Sequence, residues 1–471
     1  MTIGVSGSGW LVAISLLFGF LSVRNALSSV CYPTLQIEET DDDVEISEDG
    51  KALVRVSPKK VGSVYAVPGS VEVVEWNAFK GCTKLSVLQL HRNVKAVIDN
   101  FRDCDLLSEF VVSDDSPYLT SRDGLLYNKS MTKLFHTPRM YLLAEVTLPD
   151  SVSNIVRECF VRTRGLHVIS LPGSVAGIGP FCFSGKSDLR LFNVSKENQR
   201  YQSPDGILVD VVDGVLIRCP PGYESPEVKV PDGITTIGAD AFSYCGNLSS
   251  IHTGESTKEI CAWAFSHCRN LKKVYISASV ERIACDCFYD CGELEISVSE
   301  SNQCYMAING SLYTRSGVLV KHSPVINNGL VKIPEFVKDI GAYAFHGIKG
   351  IDCVVVPKDV VYLSRFAFDQ GCMPRSMVFK GDFPYGEWYG GWCEPGVVDG
   401  CIIYANLSLK RWSALKRLEL EDRSLKLTLR CLEDCAQIKV LSVPNESRGC
   451  DGIDRGGSDC HSKFNVRTGA K

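Results

Sequence analysis

Beyond residue 23 the 471-residue chain has no long apolar run, so nothing downstream is built to sit in a membrane. It also lacks an excess of either charge. Its 50 Lys and Arg face 55 Asp and Glu, and no basic stripe interleaved with aromatics marks a nucleic-acid surface. The common catalytic motifs are missing: there is no phosphate-cradling glycine loop, no H-E-x-x-H and no G-x-S-x-G. Histidine is scarce, at eight residues, and scattered; His252 and His267 fall in repeated segments and His346 follows a repeated Phe. Cys285, Cys287 and Cys291 lack paired C-x-x-C knuckles, which argues against a zinc site. The segment Asp451–Asp459 carries oxygen ligands without the spacing of a calcium loop. The expectation is a protein with no cofactor, no metal site and no catalytic set.

What the chain has is repetition. ITTIGADAFSYCGNL (Ile234–Leu248), TKEICAWAFSHCRNL (Thr257–Leu271) and VERIACDCFYDCGEL (Val280–Leu294) align at a step of 23 residues. Phe79, Phe101, Phe160, Phe183, Phe242, Phe265, Phe288, Phe345 and Phe368 anchor the copies. Six residues after most anchors stands Leu or Ile, five before stands Val, Ile or Leu, and eleven before stands Pro, as at Pro68, Pro149, Pro172, Pro231, Pro334 and Pro357. A worn copy falls at Leu432. A period in the twenties is the mark of a solenoid, because one turn cannot bury its apolar side alone.

The run after each Leu alternates, as in Leu271–Ile276, so Val274 and Ile276 should point inward and Lys273 and Tyr275 outward, the period of a strand. Pro then ends the strand. The V-x-x-I-x-x-x-A-F half suits a short helix or an irregular turn. Each repeat should therefore give one strand to a long parallel sheet and a return arc behind it. Three inserts break the period: Tyr118–Pro138, Tyr201–Pro221 and Tyr305–Pro324. Each carries Asp-Gly or Asn-Gly before alternating apolar residues, a hairpin signal. A partial copy, Ser47–Pro58, opens the array.

The I/V-P-x-x-V-x-x-I-x-x-x-A-F-x-x-C-x-x-L turns and D-G-x-L-Y hairpins resemble the BspA-like, or Treponema pallidum-type, leucine-rich-repeat proteins. The resemblance spans roughly residues 44–379. It implies an α/β leucine-rich-repeat solenoid of ~23-residue turns with a parallel sheet and interspersed hairpins, displayed on a cell surface or secreted. It further implies adhesion and contact with host or matrix, without naming a partner.

There are 21 cysteines. Cys82, Cys104, Cys245, Cys268 and Cys291 sit three after an anchor Phe, and Cys159, Cys182 and Cys287 take the small slot before one. All eight read as buried thiols, since Cys packs as a small hydrophobe. Disulfide candidates lie outside this register: Cys393 with Cys401, Cys431 with Cys435, and Cys450 with Cys460.

The segment Trp10–Val23, followed by Ala26, Ser28 and Ser29, reads as a secretory signal. The expected organisation is a signal peptide over 1–28, an acidic linker and capping hairpin over 29–62, and the solenoid over 63–379. Hairpins fall near 113–139, 195–222 and 299–325. An aromatic segment with a degenerate cap covers 380–445, and a flexible tail 446–471. The acidic run Glu38–Asp43 reads as solvated linker. Membrane association is expected only if the signal segment stays uncleaved.

Two surfaces could bind a partner. One is the outward side of the strands, where the register sets Ser250, His252, Lys273 and Tyr275 side by side. The other is the aromatic run Phe383–Trp392, with Tyr385, Trp388, Tyr389 and Trp392, read either as a binding patch or as a plug over the last turn. N-x-S sequons at Asn128, Asn193, Asn247, Asn309, Asn406 and Asn445 are candidate glycosylation sites. The expected function is non-catalytic binding of an extracellular protein or glycan. A secreted hydrolase with a site among the hairpins and a structural coat protein are the alternatives. Exported material should carry a mature N-terminus between Leu27 and Tyr32 by mass spectrometry; intact chain retained in the cytosol would contradict the signal.

Overall fold

The computed structural model describes residues 43–98, 101–324, 329–364, 366–368, 372 and 374–382, with strand backbone also at Ile37–Glu38, Ile402–Asn406 and Thr428–Cys431. The chain divides into two units, Met1–Tyr305 and Met306–Lys471. The signal segment, the worn copy at Leu432, the tail and the three disulfide candidate pairs lie outside the described side chains. Among the described residues no helix is long and apolar enough to cross a membrane.

Each unit is a stack of coils, as the period requires. In the first, parallel strands pair coil to coil in three sets: Val64–Ala66, Val87–Leu90 and Glu109–Val112; Glu145–Thr147, Val168–Leu171 and Leu191–Val194; and Glu227–Lys229, Ser250–His252, Lys273–Ile276 and Glu295–Val298. Alternation holds: Val274 and Ile276 are buried, Lys273 is exposed and Tyr275 half-buried. The residue before the recurrent Pro makes the last strand bond, as in Val230 N–H to the His252 carbonyl. The Pro carbonyl then accepts the amide three residues on, as Pro231 does from Ile234 at 3.3 Å, which turns the chain.

The return arc differs from a single connecting turn. Its V-x-x-I segment forms a second, short parallel strand, as in Thr236–Ile237, Glu259–Ile260 and Arg282–Ile283. The arc beyond contains no α-helix. Every second amide of the arc bonds to the next coil: Phe242 N–H reaches the Ala264 carbonyl at 2.7 Å and Phe265 N–H the Cys287 carbonyl at 2.9 Å, while the amides between them turn back within the arc, as Ser243 N–H does to the Asp240 carbonyl at 3.0 Å. That direction needs left-handed residues around the anchor, at Asp240 (φ 59°) and Trp263 (φ 54°) before it and Tyr244 (φ 64°) and His267 (φ 60°) after it. Side chains this bulky are rare there, so tertiary bonding overrides local preference.

The inserts are also more than projections. Each has three strands, such as Leu119–Arg122, Leu125–Asn128 and Lys133–His136. The first two make the hairpin, and the third runs parallel to the next coil's short strand, Asn154–Ile155. The same holds for Val215–Arg218 against Thr236–Ile237 and, in the second unit, Val318–Lys321 against Asp339–Ile340. An insert is thus a coil whose first half has been replaced by a hairpin.

Buried polar groups fasten it. Asn198 gives its amide to the Pro172 and Val175 carbonyls and accepts Arg200 and Tyr201 amides. Asn302 repeats this with Ser277, Val280, Cys304 and Tyr305. The Tyr201 and Tyr305 hydroxyls then accept the Ile178 and Ile283 amides, extending the short-strand ladder by one bond. In the earlier copy this position is Leu119, buried, with Ser116 in place of Asn; Tyr118, which the sequence alignment equates with Tyr201, is exposed one residue out of register.

Arg218 is 2% exposed, and no carboxylate is among its bonded partners. Its guanidinium donates to the carbonyls of Asp240 and Gly185 and to Ser243 Oγ, joining the coils on either side of the insert. Carbonyl dipoles replace the water that such a charge otherwise requires.

The anchor rings form the core. Phe242, Phe265 and Phe288 stack at 5.4 and 5.5 Å between centroids, and Phe160 on Phe183 at 5.4 Å. In the second unit Phe345 stacks on Phe368 at 4.4 Å. There the strand Ser376–Asp382 pairs with Ile402–Asn406 and that with Thr428–Cys431, so the parallel sheet runs past residue 379. Phe265→Ala should cost about 3–5 kcal/mol in chemical unfolding, with hydrogen exchange rising in the coils of Phe242 and Phe288 as well. Unchanged unfolding would contradict the stacking.

Candidate functional site

The register places the four outward candidates in one block. Ser250 pairs with Lys273 and His252 with Tyr275 on adjoining strands. The His252 and Tyr275 rings stack at 4.2 Å between centroids, 23° apart. The same two rows continue on both sides, through Glu227 and Lys229 before and Glu295 and Ser297 after. Those four residues were not singled out from sequence, although a step of one repeat from Ser250, His252, Lys273 and Tyr275 leads to them. The surface is mixed in charge, with an aromatic pair between Lys229 and the small Ser297. Partial burial lowers the His252 pKa, with Glu255 opposing and Lys229 reinforcing the shift, so the ring favours its neutral form at neutral pH. The outer rows of the other sets in this unit hold no aromatic: Ala66, Gln89 and Val111 in the first, Thr147, Ser170 and Asn193 in the second.

Tyr385, Trp388, Tyr389 and Trp392 lie outside the described residues. So do Asn445 and the side chain of Asn406. Asn193 is exposed on the outer strand face, and Asn309 is exposed in a hairpin turn at φ 50°. Asn247 is exposed while donating to the Tyr223 carbonyl. Asn128 is built into its turn: its amide donates to Ser130 and Thr132, and its Oδ1 accepts the Lys133 amide at 2.7 Å.

The opposite, turn edge carries a second polar group. His267 stacks on Tyr244 at 4.4 Å, meets Tyr289 edge-on, and bonds through Nδ1 to Asp290 Oδ2 at 2.7 Å. Arg269 bonds the same oxygen. Burial pushes the Asp290 carboxyl up, but the bonds from Arg269 and His267 outweigh it and hold the pKa below its ordinary value. The neighbouring Ser243 and Ser266 are buried. Among the described residues no group of three His, Cys, Asp or Glu side chains converges as a metal site.

The cysteine slots have a specific chemistry. Cys268 Sγ donates to the Phe242 carbonyl at 2.9 Å, Cys291 to Phe265 at 3.1 Å and Cys104 to Phe79 at 3.5 Å. Each anchor carbonyl also accepts its own coil's Cys amide, as Phe265 does from Cys268. A thiol is small enough for the slot and polar enough to meet the carbonyl's second lone pair. Burial drives the Cys268 and Cys182 pKa values well up and that of Cys159 to about 12, which suppresses the reactive thiolate. Cys245, Cys268 and Cys291 are buried free thiols and on that ground should resist alkylation in the native protein and label in denaturant; peptides cross-linked without reduction would contradict this.

Two half-buried histidines, His136 and His322, pack against the core. His136 Nε2 lies 3.0 Å from the Val97 carbonyl, and burial lowers its pKa. His322 packs against Phe345 and meets Ser311 Oγ at 3.1 Å; burial and adjacent Lys321 pull its pKa down to about 4. Unfolded, it titrates near 6.5. Between those values the unfolded chain takes up a proton that the folded one does not. Stability from the neutral ring is full above about pH 6.5 and falls towards pH 4, by on the order of 3 kcal/mol in all. Chemical unfolding across that range should show the loss, and His322→Gln should flatten it; an unaltered pH profile would contradict the assignment.

The family described as "BspA type Leucine rich repeat region" matches residues 63–139, 138–203, 223–314 and 326–384, in six copies and over half of the chain. The chain belongs to the BspA-type leucine-rich-repeat family. A search of curated proteins finds no match. Among solved structures, this BspA-type chain is similar to a leucine-rich repeat protein from Eubacterium ventriosum, at 17% identity over 77% of this chain and 91% of that one, TM-score 0.46. It is also similar to the pneumococcal vaccine antigen PcpA, at 12% identity over 82% and 84%, TM-score 0.35. The T. pallidum leucine rich repeat protein shares 19% identity over 62% and 92%, TM-score 0.20.

Proposed function

We propose that this BspA-type protein is a non-catalytic binding protein, secreted or held at a cell surface, whose outer strand face contacts an extracellular protein or glycan in adhesion to host or matrix. The observation that carries the reading is the block of Ser250, His252, Lys273 and Tyr275, contiguous over two coils and backed by the stacked rings. A strand's inward residues are committed to the core, so its outward residues are the ones free to vary with a partner. Rigid backbone on both sides holds them in place before binding, which lowers the ordering cost. Aromatic rings beside Lys and Glu suit either a protein hot spot or a sugar face.

The test is a binding screen of the full chain against matrix proteins and glycans, followed by Tyr275→Ala and Lys273→Glu on any saturable binder. Each substitution should weaken binding by about tenfold or more without altering thermal unfolding. Turnover of a bound candidate, or binding indifferent to both substitutions, would overturn the reading.

A further inference from the structure

The set of main strands that carries His252 and Tyr275 ends one strand later, at Glu295–Val298. Stacking on His252 covers one face of the Tyr275 ring, at 4.2 Å between centroids. The other face looks over Ser297, the exposed strand partner of Tyr275. Ser297 is too short to reach up that ring, and its Oγ is turned down to the Val274 carbonyl at 3.5 Å. Adjoining parallel strands lie about 4.8 Å apart, close to the spacing of the two rings. The position above Ser297 therefore suits one more flat ring, at the step that His252 and Tyr275 already make.

Two charged side chains of opposite sign flank this step. Lys273 and Glu295 are strand partners in the neighbouring outer row, each two residues before Tyr275 or Ser297 on its own strand. Both are exposed, and among the described residues no ion pair joins them to each other or to another side chain. An ammonium donor and a carboxylate acceptor thus stand side by side, next to an open ring face. The same rows of the other sets in this unit hold no ring to stack on, with Gln89 and Val111 in the first and Ser170 and Asn193 in the second.

The mixed pair selects the occupant. A guanidinium stacked on Tyr275 would meet Lys273, and a carboxylate would meet Glu295, so a charged group loses beside one what it gains beside the other. A phenyl or indole ring would cover both charges and return no hydrogen bond, leaving their desolvation unrecovered. A sugar ring meets every demand. Its axial C–H groups carry partial positive charge and lie on the negative face of the Tyr275 ring. Its vicinal hydroxyls donate to the Glu295 carboxylate and accept from the Lys273 ammonium. We propose that the step beside Tyr275 is a subsite for one uncharged pyranose unit of a glycan, held by Tyr275, Lys273 and Glu295 over Ser297. The inference rests on the outer-face reading above and narrows its ligand to a carbohydrate.

The experiment is saturation-transfer NMR of the full chain with the methyl glycosides of glucose, galactose, mannose and N-acetylglucosamine, and with glucuronic acid and glucosamine as charged counterparts. At least one methyl glycoside should bind, with transfer strongest at the protons of one ring face, and about tenfold more tightly than either charged sugar. Ser297→Trp supplies the extra ring from within the chain. Aromatic residues suit an exposed strand position, so this variant should keep its thermal unfolding profile and lose about tenfold in glycoside binding. Ser170→Trp, in the same row of the second set, should leave glycoside binding unchanged. Binding that Ser297→Trp leaves intact overturns the proposal, and so does failure of the native chain to bind any of the four glycosides. If that failure comes with Tyr275-dependent capture of a matrix protein, the carbohydrate is overturned while the outer-face reading stands. Binding of glycoside and protein alike that ignores Tyr275→Ala overturns both.

Discussion

The backbone hydrogen bond from one coil to the next is the constraint on which everything else rests. It occurs on three sides of each coil: along the main strand, along the two-residue strand, and through the anchor arc, where Phe242 N–H meets the Ala264 carbonyl. Because strand partners on adjoining repeats of the first unit lie 22 or 23 residues apart, as Lys273 with Glu295 and Ser250 with Lys273, side chains one repeat apart must lie over one another. The phenylalanine stack, the thiol slots and the outer rows follow from that register. A residue inserted into one arc would displace all three at once, since buried backbone groups cannot be left unpaired cheaply.

Lengthening a coil is tolerated only where the extra chain meets the same bonding pattern. The inserts do this with a hairpin whose third strand re-enters the short-strand ladder, as Val215–Arg218 does on Thr236–Ile237. The seams are closed by polar groups with no apolar equivalent: an Asn that bridges four backbone groups, a Tyr hydroxyl that takes the next ladder amide, and a buried cation held by turn carbonyls. Arg218 and Lys321 share one position in their inserts, two after a buried Leu, and Lys321 Nζ donates to the His346 carbonyl at 2.7 Å. Removing such a group would leave buried carbonyls unmet, a larger loss than the bonds themselves contribute.

A scaffold of this kind separates stability from recognition. Inward positions are fixed by stacking, whereas outer rows and turn tips answer only to solvent. That freedom is why neighbouring sets differ so much outside, from Ala66, Gln89 and Val111 to Lys229, His252, Tyr275 and Ser297, over a common core.

Periodicity alone determined the solenoid, the anchor stack, the buried thiols, the hairpin positions and the pairing of Ser250 with Lys273 and His252 with Tyr275. Those follow from counting, because a fixed repeat length and the two-residue period of a strand leave one register. Only the tertiary structure decided how the arc is built. V-x-x-I-x-x-x-A-F suits a helix or a turn locally, and the choice went to a left-handed arc because its amides find carbonyls on the next coil, a partner no single repeat contains. The thiol's acceptor and the Arg218 cradle were hidden for the same reason: each depends on a neighbour 20 or more residues away whose backbone direction is set by stacking. Exposure was hidden as well, since Leu106 and Leu142 read as ordinary apolar residues until the fold leaves them in water.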